Sequence, residues 1–143
     1  MILRYWGVEN WSQFEIHQYG FQTFEGGISE GDLGLLPLFK LDDLLTKKKE
    51  KIQFHVELIT NGTINDLKKW IDNEIPLILR YNTNDRGDMH TVVLIGYNEK
   101  VFYKHDNDLG SCLEMEYDYM KKHWKGQVVL VYPINYLTEK KGK

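Results

Sequence analysis

The chain has 143 residues, 42% of them hydrophobic and 13% aromatic, which suits one globular domain with an ordinary core and excludes a disordered segment. With 18 basic and 21 acidic side chains the net charge is -3, which argues against a nucleic-acid binder, since such a protein needs a basic face to neutralise phosphates. Cysteine occurs once, at Cys112, so an internal disulfide and a cysteine-based zinc cluster are both excluded.

Taken in chain order, Met1 to Tyr5 is apolar and helix-compatible, and Gly7 stops it as a C-terminal cap does. No basic leader or small-residue cleavage site is visible here, which leaves the cytoplasm as the default expectation. A second helix is expected from about Ser12 to Tyr19. Glycines then make Phe21 to Gly34 a loop, and a third helix follows Pro37 with Leu38, Leu41, Leu44 and Leu45 on one side. The run Lys47-Lys48-Lys49-Glu50-Lys51 reads as a solvated helix end.

Strands and helices alternate from there. Ile52 to Leu58 alternates apolar and polar residues, as a half-buried strand does. Asn61-Gly62-Thr63 reads as a turn into a helix over Ile64 to Asn73, with Thr63 as cap and Asp66 as its acidic partner. Ile64, Leu67, Lys68 and Ile71 carry the i, i+3, i+4, i+7 spacing of that helix. Ile75 to Tyr81 is almost continuously apolar, so a central strand is expected, followed by a polar loop over Asn82 to Asp88. Thr91 to Tyr97 and Lys100 to His105 form a hairpin through Asn98-Glu99. Ser111 to Glu116 is a further strand, Asp118 to Lys125 a short helix closed by Gly126, and Gln127 to Tyr132 the last strand. The order of elements defines an α+β domain over residues 1–134, with 135–143 a frayed, charged C-terminal tail. The longest apolar run, Gln127 to Pro133, is far too short to span a bilayer.

Several of these segments, in this order, resemble the papain-like cysteine peptidases of the bacteriocin-processing type, the double-glycine-leader peptidases, and their stand-alone relatives. Leu67-Lys68-Lys69-Trp70-Ile71-Asp72-Asn73-Glu74-Ile75-Pro76-Leu77-Ile78 is similar to the family's helix and the strand entered through proline. His90-Thr91-Val92-Val93-Leu94-Ile95-Gly96-Tyr97 resembles its histidine strand, and Phe102-Tyr103-Lys104-His105-Asp106 the strand that delivers the acid. Tyr117 to Trp124 resembles its late helix, and Val128-Val129-Leu130-Val131 its closing strand. Met1-Ile2-Leu3-Arg4-Tyr5-Trp6-Gly7 is similar to the end of the helix that a Cys-Gly-Pro sequence opens in that family. On that alignment the nucleophilic cysteine is expected roughly two turns, at about 3.6 residues each, ahead of Met1, and the oxyanion glutamine with it. The sequence departs from the family at Asn107, where proline usually follows the acid.

The resemblance implies a papain-like peptidase fold, with N-terminal helices packed on a mostly antiparallel sheet, and catalytic positions at His90 and Asp106. In the family's chemistry a thiolate attacks a peptide carbonyl, the histidine acts as base and then as acid to the leaving amine, and the aspartate fixes its tautomer. Whether this chain is itself an enzyme stays open, because it lacks the nucleophile. It is either a truncated peptidase or an inactive relative that binds an extended peptide or protein segment by strand pairing. The alternative is a small non-enzymatic α+β interaction protein in which His90 and Asp106 are incidental. Asp106 also suits a turn, since Asp-Asn-Asp-x-Gly is turn chemistry, but the later ligands of a calcium loop are missing. His105 is expected on the other face of its strand, at the surface. Cys112 reads as a small buried apolar residue rather than a substitute nucleophile. His17, His55 and His123 show no ligand spacing, so no metal and no cofactor are expected. Trp70 and Trp124 read as core packing.

Overall fold

The computed structural model describes residues 2–8, 54–83, 88–106 and 109–141. The helices expected over Ser12 to Tyr19 and after Pro37, the loop Phe21 to Gly34 and the basic run after Thr46 lie outside them. The described elements are α1 (Ile2–Tyr5), β1 (Phe54–Ile59), α2 (Ile64–Asp72), β2 (Leu77–Asn82), β3 (Met89–Tyr97), β4 (Val101–Asp106), β5 (Gly110–Glu116), α3 (Tyr117–His123), β6 (Val128–Pro133) and α4 (Tyr136–Lys141). Six strands form one sheet in the order β1-β6-β2-β3-β4-β5. The pairings of β2 with β3 and β6, of β3 with β4 and of β4 with β5 are antiparallel, as an α+β domain requires. The almost continuously apolar strand β2 is interior to the sheet, where both faces can be covered. By its contacts the chain divides into two compact units, one drawn from Met1–Val56 and Val131–Lys143, the other spanning Glu57–Leu130.

The second unit follows its local sequence closely. Thr63 and Asp66 close a capping box at the start of α2: the Asp66 N–H donates to Thr63 Oγ1 at 3.1 Å, and the Thr63 N–H donates to Asp66 Oδ2 at 2.9 Å. Thr63→Ala is therefore expected to cost about 1 kcal/mol. Urea denaturation measures it, and an unchanged midpoint would show the cap to be idle. The far end of α2 closes without glycine. Glu74 takes φ 60, its N–H donates to Ile71 C=O at 2.8 Å, and the Ile75 N–H reaches Trp70 C=O at 3.1 Å. Pro76 then prevents the helix from resuming. Leu67 is fully buried, whereas Lys68, on the same stripe, lays its ammonium over the rings of Tyr97 (5.4 Å) and Tyr117 (4.7 Å).

The β3–β4 hairpin turns over Asn98 to Val101, one residue beyond the expected corner. Asn98 Oδ1 accepts from the N–H groups of Lys100 (2.8 Å) and Val101 (2.9 Å). Neither Glu99 nor Lys100 has positive φ, so this is not the primed turn that matches strand twist. The register instead changes inside the hairpin: Tyr97 faces Phe102 and Gly96 faces Tyr103, but Leu94 faces Lys104 and Val93 faces His105. Ile95 is the extra residue of this bulge, and its side chain is exposed.

In the first unit Gly7, at φ +87, ends α1 as expected. Trp6 Nε1 donates to Val131 C=O at 2.8 Å, and the Tyr136 ring meets the Trp6 ring edge-on at 4.7 Å. The segment read as a frayed tail is thus helical over Tyr136–Lys141. Its first residue has an aromatic partner 130 positions away, which the local run of charges conceals.

Candidate active site

One face of the second unit's sheet is read off from the pairings. On β2 it carries Leu77, Leu79 and Tyr81, which face Leu94, Val92 and His90 of β3. On β4 it carries Lys104, opposite Leu94, and continuing that register places Asp106 opposite Val92. Leu77, Leu79, Val92 and Leu94 are buried, so the face is an apolar core until its last row. Polar chemistry then appears at one end: Tyr81, His90, Lys104 and Asp106.

His90 Nε2 lies 2.7 Å from Asp106 Oδ2, the Asp106 side chain being wholly inaccessible and that of His90 27% exposed. The structure therefore brings the two expected site residues together, one diagonal step apart across β3 and β4. The arrangement with the two side chains apart, which would mark them as incidental, is not the one observed. An ionised carboxylate only accepts hydrogen bonds, so the shared proton sits on Nε2. Nδ1 is left with the lone pair of a base. Asp106 Oδ1 accepts from the Leu109 N–H at 3.3 Å, so the same carboxylate closes the turn that its sequence context suggested.

The Ile95 bulge decides this meeting. In the register set at the turn, Asp106 would stand opposite Val93, and its side chain would leave by the other face. One extra residue on β3 moves it opposite Val92, on the face of His90.

Tyr81 and Lys104 belong to the same cluster and were not singled out in the sequence. The Tyr81 ring meets the His90 ring edge-on at 5.8 Å. Lys104 Nζ donates to Tyr81 Oη at 3.3 Å and lies 3.9 Å from Asp106 Oδ2. Burial first, and then the negative charge of Asp106, push the Tyr81 phenol above its usual value, so it stays neutral. A signal for Lys104 was present, since residues two apart on a strand share a face. Tyr81 shows its place only through the pairing of β2 with β3.

The remaining candidates fall elsewhere. Half-buried His105 has Nδ1 2.8 Å from Ser111 Oγ, His55 tilts against Tyr132, and His123 stacks on Tyr119. His17 lies outside the described residues. Among the described residues no group of three or more His, Cys, Asp or Glu is placed to hold a metal ion, and no helix is long and apolar enough to cross a membrane. Trp124 is buried, and its Nε1 donates to Gln127 C=O at 2.8 Å. Trp70 is half-buried at the end of α2.

Cys112 corrects an expectation. It is exposed, not buried, and has φ 55. It belongs to a second bulge, where Ser111 and Cys112 together oppose His105. Iodoacetamide is expected to alkylate Cys112 to completion in the folded protein with the near-ultraviolet circular dichroism unchanged. Mass spectrometry checks this, and modification only after unfolding would contradict the exposure.

A mostly antiparallel six-stranded sheet accompanied by helices gives this chain an α+β frame similar to that of papain-like peptidase domains. The model of the Peptidase_C39 like family matches residues 1–128, and the chain belongs to that family. No curated protein matches the chain. Solved structures do. The peptidase domain of Streptococcus ComA, a bi-functional ABC transporter involved in a quorum sensing pathway, is similar over 92% of this chain and 85% of that one, at 16% identity and a TM-score of 0.62. A double glycine motif protease from an AMS/PCAT transporter, in complex with its leader peptide, is similar over 93% and 79%, at 20% identity and a TM-score of 0.59. The peptidase domain of Streptococcus mutans ComA in complex with a small-molecule inhibitor is similar over 73% and 79%, at 16% identity and a TM-score of 0.53. At these identities the likeness is one of fold.

Proposed function

We propose that this chain supplies the base and the acid of a cysteine-peptidase site and receives an extended peptide beside them. The observation that carries this reading is the 2.7 Å contact between a partly exposed imidazole and a buried carboxylate. In this role Asp106 holds the imidazole through Nε2. Nδ1 takes the proton of a thiol, and the thiolate attacks the peptide carbonyl. The protonated Nδ1 then returns the proton to the leaving amine. The single cysteine of the sequence, Cys112, lies in a strand bulge and not at a helix N-terminus, the position that stabilises a thiolate. The 143-residue chain accordingly binds peptide without cutting it. In a polypeptide that carries the family's cysteine ahead of His90 the same pair serves hydrolysis.

The leader peptide bound by the AMS/PCAT protease suggests the ligand class, a peptide ending in a pair of glycines. Titrating the chain with a fluorescent peptide of that kind is expected to give saturable binding, with the peptide intact by mass spectrometry. No binding up to millimolar peptide overturns the reading. Cleavage that Cys112→Ser abolishes overturns it equally, because the nucleophile would then be Cys112.

A further inference from the structure

Among the described residues of this cluster, Lys104 is a cation with no part in the proton transfers of His90. Its side chain is 12% exposed, its ammonium donates to the Tyr81 hydroxyl at 3.3 Å, and it stands 3.9 Å from Oδ2 of Asp106, the same oxygen that His90 engages. At that separation it acts on the carboxylate through its charge, and the Tyr81 hydroxyl sets its position. A carboxylate as buried as Asp106, set against a neutral imidazole, has two ways to lower its energy. It can take up a proton itself, which costs His90 its acceptor. It can instead hold a proton permanently on the imidazole, which costs the site its base. A fixed ammonium beside Oδ2 relieves both tendencies.

We propose, resting on the peptidase-type reading of the site, that Lys104 is a positioning residue of the His90–Asp106 pair. Its charge keeps Asp106 ionised whether His90 is neutral or protonated, so the imidazole exchanges its proton without losing its anchor. Tyr81 takes part by orienting the ammonium, and a phenol kept neutral by burial does not cancel that charge. The titratable and charged groups seen in one cluster with His90 are Asp106 of β4 and Tyr81 of β2, which contact its ring, and Lys104 of β4, which contacts those two. Tyr119 of α3 stands behind Tyr81, at 6.1 Å between ring centres.

The test follows the His90 ring by nuclear magnetic resonance through a pH titration of the full isotope-labelled chain. In Lys104→Met the midpoint of His90 protonation is expected to move to higher pH by about one unit, roughly a tenfold gain in proton affinity. Lys104→Arg restores the charge and is expected to restore the parent midpoint. Lys104→Gln keeps a polar contact for the Tyr81 hydroxyl and is read in the same way if the methionine variant does not fold. A folded neutral variant with an unmoved midpoint overturns the proposal. So does an arginine variant that moves as far as the neutral ones, since packing and not charge would then be responsible. The readout needs no peptide, so failure of peptide binding and failure of this role are separate results.

Discussion

Asp106→Ala is expected to lose about 3–5 kcal/mol of stability, the usual cost of removing one partner from a buried, hydrogen-bonded charge cluster. The carboxylate accepts from His90 Nε2 at 2.7 Å and from the Leu109 N–H at 3.3 Å, and Lys104 lies 3.9 Å away. Truncation strands the imidazole N–H and leaves a half-buried ammonium with its nearest anion gone. It also removes the side-chain acceptor that closes the turn before β5. Domains of this kind hold about 5–15 kcal/mol in all, so the variant should melt roughly 10 °C or more below the parent. Asp106→Asn is the informative companion. It keeps the shape and one acceptor oxygen but loses the charge, and is expected to cost about 1–3 kcal/mol. Urea denaturation of the three proteins ranks them. An alanine variant within 1 kcal/mol of the parent would mean that the carboxylate neither pairs with His90 nor supports the turn.

The second large effect is expected at Gly126. The turn after α3 passes so close to the turn before α2 that a side chain has no room. A Cβ on Gly126 would lie 2.9 Å from the Thr60 carbonyl oxygen and 3.1 Å from both Asn61 Cα and the Gly62 nitrogen. All three are backbone atoms, which cannot swing aside. The Gly62 N–H also donates to Gly126 C=O at 3.0 Å, so any retreat breaks the bond joining the turns. Gly126 has φ +91, where a side chain adds about 1–3 kcal/mol of strain. Gly126→Ala is therefore expected to cost about 3 kcal/mol, strain and a lost hydrogen bond together. Gly7→Ala separates the two causes. Gly7 has nearly the same φ, +87, and among the described residues no atom lies within 4 Å of its Cβ position, so the expected loss there is mainly strain and smaller. Equal losses at the two positions would show that the close approach of the turns carries no cost.

Much of the second unit was legible before any coordinates, because the signals are short-range. The threonine–aspartate pair at the start of α2 works through atoms three residues apart, and proline after Ile75 blocks the helix locally. The apolar run of β2 marks an interior strand whatever its neighbours are. Where reading failed, the deciding partner was distant. Nothing in Tyr136 to Lys141 announces that Tyr136 packs on Trp6, so a run of charges looked frayed. Cys112 looked like a core residue by type, yet a bulge turned it out to solvent.

Residue types and their order determined the family, the α+β class, the strand and helix sequence of the second unit, and the choice of His90 and Asp106. The class and the elements follow from periodicity, caps and breakers that act within a few residues, whereas the family and the choice of His90 and Asp106 rest on the resemblance of ordered segments to known peptidases. Tertiary structure alone decided that the two side chains meet. That depends on one unpaired residue, Ile95, which shifts β4 by a single position and so turns Asp106 onto the face of His90. It also recruited Tyr81, because a strand's neighbours are chosen by pairing across the sheet and not by its own composition.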